Sequence, residues 1–112
     1  MLVVTTDAVP GYEVRDVIGE VLGVTARSHN PFLEGIKSLN RGRINPAMER
    51  ILAGSRQEAV AHMVEAARRR GANAVVGMRF DHRMVSPVWT EICAYGTAVH
   101  VRAVDGSPPP DL

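Results

Sequence analysis

The sequence predicts a two-layer α+β subunit with an antiparallel sheet, its elements ordered β-β-α-α-β-β. Three observations predict it. β-Branched runs open the chain, apolar residues in the middle recur every three to four positions, and strict alternation returns after residue 74. Helices then cover one sheet face, and the other must meet solvent or a neighbour.

Leu2 to Thr5 reads as a short strand, and Val9-Pro10-Gly11-Tyr12 is turn chemistry with Pro beside Gly. Glu13 to Arg27 follows as a long second strand in which Gly19 and Gly23 mark a bend, a bulge or a close backbone approach. Asn30-Pro31 starts a short helix carrying Phe32, Leu33, Ile36 and Leu39, and Arg41-Gly42-Arg43 ends it. A longer helix begins near Pro46, with Met48, Ile51, Leu52, Ala59, Val60, Met63, Val64 and Ala67 as its apolar stripe and Gly54-Ser55 as an expected kink. Gly71 is placed to terminate it as a left-handed cap after Arg68-Arg69-Arg70, whose charge complements the helix dipole.

Ala74 to Arg83 alternates, with Val76, Met78 and Phe80 on one side and Arg79, Asp81 and Arg83 on the other. Ser86-Pro87 supplies a turn, and Trp89 to Val104 completes an antiparallel hairpin. Residues 1–104 make a single domain, and 105–112 are expected to be a flexible, Pro-rich C-terminal tail.

At 112 residues the chain hides a modest share of its surface, so self-association would add burial. A net charge of +1 gives no reason to expect a nucleic-acid partner, because phosphate binding needs clustered cations. No apolar run approaches the roughly 20 residues of a membrane helix, so no membrane association is expected. The N-terminus has neither the basic start nor the long apolar region of a secretion signal. A single cysteine, Cys93, excludes an internal disulfide and suits a reducing, cytoplasmic setting.

Thr5-Thr6-Asp7 with Pro10-Gly11-Tyr12, Gly19 and Gly23, Gly71-Ala72-Asn73-Ala74-Val75-Val76-Gly77, and Gly96-Thr97-Ala98-Val99 together resemble the YbjQ-like family, whose other name is "putative heavy-metal-binding domain". The likeness runs from about residue 2 to about residue 104. It implies a dodecin-like/YbjQ-like subunit that assembles into a homopentameric ring. Arg41 departs from the family pattern, standing where members often carry the first of two glycines.

The metal-binding candidates are Cys93, His82 and Glu91, with Asp81 and His100 on the same hairpin. A thiolate is a soft ligand, imidazole and carboxylate complete common donor sets, and a soft metal ion is the cofactor they suggest. One sulfur per chain would require several subunits to converge. The competing reading makes Cys93 a small apolar residue. Whether His82 shares a face with Cys93 depends on register, since a slip of one residue reverses every side chain. Glu58, His62 and Glu65 lie at helical spacing, a pattern that serves a cation or simply pairs along the helix, Glu65 with Arg69. Cys93 with His82 or His100 is the one thiol-imidazole candidate for catalysis, and nothing in the sequence orients it. Gly77 and Gly96 are expected where another backbone lies close.

The expected function is therefore a non-enzymatic homopentamer binding a metal ion or small ligand at subunit interfaces. The alternative is a scaffold ring that docks a partner protein.

Overall fold

A computed structural model describes residues 1–28 and 46–108. The short helix expected at 31–39, the break at 41–43 and the last four residues of the expected tail lie outside the described residues. The elements are β1 (Leu2–Val3), β2 (Tyr12–Ser28), α1 (Pro46–Arg69), β3 (Ala74–Ser86) and β4 (Trp89–Ala103). They form a four-stranded sheet ordered β1-β3-β4-β2.

The sheet is mixed rather than antiparallel throughout, because β1 pairs in parallel with β3, Leu2 opposite Ala74 and Val3 opposite Val75. The chain therefore does not open with a hairpin. Val9 to Tyr12 turns it away from β1, with Gly11 at φ 85° and a Tyr12 N to Val9 O bond of 3.0 Å, and delivers β2 to the far edge. There β2 pairs with β4 from Tyr12↔Ala103 to Ser28↔Trp89. Bulges after Val14 and after Val17 curve it, the second built on Gly19 at φ 133°.

The helix runs without a break through Gly54-Ser55, where Ser55 Oγ donates to the Ile51 carbonyl at 2.9 Å. It ends in a Schellman motif: Gly71 N bonds Arg68 O at 2.9 Å, Ala72 N bonds Ala67 O at 3.0 Å, and Gly71 takes φ 85°. Arg70, just past this end, donates to Ile18 O at 2.9 Å and Glu20 O at 2.8 Å, clamping the helix terminus to the Gly19 bulge.

Helix residues Ala59, Met63 and Ala67 are fully buried against Val21, Ile92, Ala94 and Ala98. Gly23 lets the layers meet closely. A Cβ there would fall 2.2 Å from the Ala59 oxygen and 2.3 Å from the Met63 nitrogen. Of the predicted apolar stripe, Ala59, Met63 and Ala67 are buried while Ile51 and Leu52 are exposed.

The expected alternation in β3 is broken at Gly77. This residue has φ 62° and inserts an extra position between Val76 and Arg79, so Val75, Met78 and Phe80 join the helix-side core while Val76 faces the opposite side. On that opposite side a second cluster, Ala74, Val76, Val99 and Val101, is roofed by Leu2, Val4, Val9 and Tyr12. Asn73 extends the pairing there. Its side-chain amide donates to Val101 O at 2.9 Å and accepts from Val101 N at 2.8 Å.

Candidate functional site: the sheet face opposite α1 around Cys93

Beyond the roof provided by residues 4–12, the sheet face opposite α1 carries no further cover among the described residues. The register writes its rows directly: Leu22, Tyr95 and Arg79 lie side by side, then Val24, Cys93 and Asp81, then Ala26, Glu91 and Arg83. Glu20 and Thr97 form the row before. Val14, Val17, Leu22, Val24 and Tyr95 are exposed along this face, Val17 to 70%. The signal was present in Val21-Leu22, where consecutive apolar residues occupy both faces of one strand, a pattern of strands covered on both sides.

Cys93 sits within this surface, partly buried, as a free thiol. Its pKa is raised, first by burial and then by the charges of Glu91, Asp81 and Glu20. Each influence disfavours the thiolate. The arrangement is the reverse of an activated nucleophile, for which a cation or helix N-terminus lowers the pKa.

Of the sequence candidates, Cys93 and Glu91 share this face, with Asp81 directly opposite Cys93. His82 does not share it. It pairs with Ile92, so its side chain lies on the helix side of the sheet, where Arg56 Nε donates to His82 Nε2 at 3.4 Å. His100, opposite Asp16, also falls on the helix-side alternation of β4. Neither histidine therefore stands beside the thiol within one chain. Arg83 and Glu91 approach to 3.9 Å. Among the described residues, no group of three His, Cys, Asp or Glu side chains is arranged to hold a metal ion.

The helix trio is dispersed as well. Glu58 pairs with Arg27 of β2, His62 Nδ1 bonds the Val24 carbonyl at 3.0 Å, and Glu65 lies 4.0 Å from Arg69, as the spacing predicts. Gly96 has a close neighbour inside its own chain, since a Cβ there would lie 2.7 Å from Val75 Cγ1. At Gly77 it is the positive φ, opposite Asp7, that requires glycine.

A family model described as "Putative heavy-metal-binding" matches residues 1–102. The chain belongs to the YbjQ family. Among YbjQ-family relatives, a UPF0145 protein of Acidothermus cellulolyticus is 46% identical over 104 residues, covering 90% of this chain and 95% of that protein. A UPF0145 protein of Streptomyces coelicolor is 47% identical over 104 residues, covering 90% and 97%. These names state no reaction. A crystal structure of a protein of unknown function from Pediococcus pentosaceus, assigned to the DUF74 family, superposes with a TM-score of 0.62 at 17% identity, covering 90% of this chain and 97% of that one. That likeness establishes a shared fold. Among the described residues of this YbjQ-family chain, no helix is long and apolar enough to cross a membrane.

Proposed function

We propose that the chain acts as a non-enzymatic, cytoplasmic homo-oligomer, a homopentameric ring, that binds a metal ion or small ligand where subunits meet on the sheet face opposite α1. The observation that carries this reading is the apolar strip Val14, Val17, Leu22, Val24 and Tyr95, exposed beside the partly buried Cys93. Leu22, Val24 and Tyr95 adjoin one another, with the Glu20–Thr97 row separating them from Val14 and Val17; exposed apolar groups on a small domain mark an interaction site, and a second copy offers matching chemistry. The tip of the β3–β4 hairpin carries exposed Met84, Val85, Val88 and Trp89, a further apolar surface.

For the ligand, the carboxylates that raise the Cys93 pKa also favour a cation beside it. A bound soft cation would reverse the penalty on the thiolate by supplying opposite charge. Cys93 and Glu91 are the donors we assign, with Asp81 adjacent. His82, on the other face, would join such a site only as the contribution of a neighbouring subunit.

Native mass spectrometry of the purified protein, with and without cadmium, tests both halves. A five-subunit species whose saturable cadmium binding is lost in Cys93→Ser is expected. A monomer at micromolar concentration would end the ring reading, and cadmium uptake unchanged in Cys93→Ser would end the site assignment. The scaffold alternative draws on the apolar hairpin tip. It would be favoured by a ring that takes up no cadmium and captures a partner protein through that tip, with capture lost in Trp89→Ala.

A further inference from the structure

We propose a second binding site on the opposite side of the sheet: an open groove between α1 and β3 that takes a small aromatic carboxylate. It lies away from the Cys93 face and does not depend on the ring or on the metal reading. Its volume is 360 Å³, and Ala53, Arg56, Gln57 and Val60 of the helix line it together with Phe80 of β3. That size falls within the range of small-molecule pockets, about 300–1,000 Å³.

The helix residues recur at i, i+3, i+4 and i+7, so one face of α1 forms a wall opposite the Phe80 ring. Val60 and Ala53 contribute an apolar surface, and Phe80 adds an aromatic one. Such a lining selects a flat apolar body.

Arg56 selects the charge. Its guanidinium carbon lies 5.5 Å from the centroid of the Phe80 ring, within cation–π range. Its Nε is directed to His82 Nε2 at 3.4 Å, a long bond that orients the group and, among the described residues, leaves both Nη donors available. Among the described residues no carboxylate pairs with Arg56. Glu58, two positions along the helix, is already engaged by Arg27. The result is an oriented planar cation at the rim of an apolar groove, with the Gln57 amide beside it as a further donor. A carboxylate meets this fork with two parallel hydrogen bonds while its attached ring lies against Phe80.

Benzoate is the probe, with acetate and benzyl alcohol as controls that supply the charge alone and the ring alone. Titrations followed by amide chemical shifts should give saturable benzoate shifts confined to residues 53–60 and the Phe80 region, with acetate and benzyl alcohol at least tenfold weaker. Arg56→Met preserves the apolar stem at an exposed position and should weaken benzoate at least tenfold without changing benzyl alcohol. Equal benzoate affinity in Arg56→Met, or shifts mapping elsewhere, would overturn the assignment. Phe80→Leu, which keeps apolar volume while removing the ring, should also weaken benzoate, and an unchanged affinity there would overturn the aromatic preference.

Discussion

Gly23 and Ala59 meet backbone to backbone, so that a Cβ on Gly23 would lie 2.2 Å from the Ala59 carbonyl oxygen. No side-chain rotation relieves that contact, because the Met63 nitrogen stands at 2.3 Å from the same point. Gly23→Ala must therefore lift α1 from β2, and overpacking of this kind costs about 1–3 kcal/mol or more. Thermal denaturation of the variant should show a lower midpoint. An unchanged midpoint would mean that the two layers are not packed this closely.

Asn73 acts as a surrogate strand residue for Val101 by giving and accepting one bond each. Asn73→Ala leaves the Val101 groups short of partners at a cost of about 1–3 kcal/mol, the usual penalty for an unsatisfied buried group. Urea denaturation measures it. Asn73→Asp, which retains the acceptor and loses the donor, should fall between the two.

Thr25 is buried beneath the helix, and among the described residues its hydroxyl has no hydrogen-bond partner. Replacing it by the similarly shaped valine removes a polar atom that gained nothing on burial. Thr25→Val should raise stability by about 1 kcal/mol. A loss of stability on calorimetry would show that the hydroxyl is satisfied.

Cys93 should behave as a sluggish thiol. Burial and the neighbouring Glu91, Asp81 and Glu20 raise its pKa, so its alkylation by iodoacetamide should accelerate only above the pH at which an ordinary thiol, near pKa 8.5, does so. The linked stability has a definite sign. With the folded-state pKa above the unfolded one, the protonated thiol stabilises the fold below the unfolded value, and this contribution is lost as pH rises through the folded value. Fast alkylation at neutral pH would contradict the geometry and revive a nucleophilic role.

If copies of the chain cover the sheet face opposite α1, a further charge among its apolar residues must oppose assembly. Leu22→Asp places a carboxylate among Val24, Tyr95 and Cys93 on an exposed position, so it should disrupt association while leaving the subunit folded. Sedimentation velocity together with circular dichroism separates the two effects. Retention of the wild-type sedimentation coefficient would place the interface elsewhere.

Much of the local structure was legible in the residues themselves. Gly11 and Gly71 do what Pro-Gly and a post-helical glycine predict, and Gly19 makes a bulge as its place in a long strand suggests. The last two strands form the expected hairpin, with Ser86 opposite Trp89. The parallel pairing of β1 was not legible, because a two-residue strand carries no directional signal and its partner lies more than 70 positions away. The Gly77 bulge was also missed, since period-2 alternation assumes an unbroken pleat.

Among the described residues, the amino-acid sequence by itself determined the strand or helix type of each element, the end of α1 at Gly71 and the family to which the chain belongs, because turn chemistry and periodicity act over a few neighbouring residues. Only tertiary structure decided which chemistry is shared. His82 and Cys93 are separated by the sheet because strand register alternates faces residue by residue, and that register is set by pairing across the hairpin. The long-range pairing of β2 with β4 gathers Leu22, Val24, Cys93 and Tyr95 into one surface from two strands far apart in the chain.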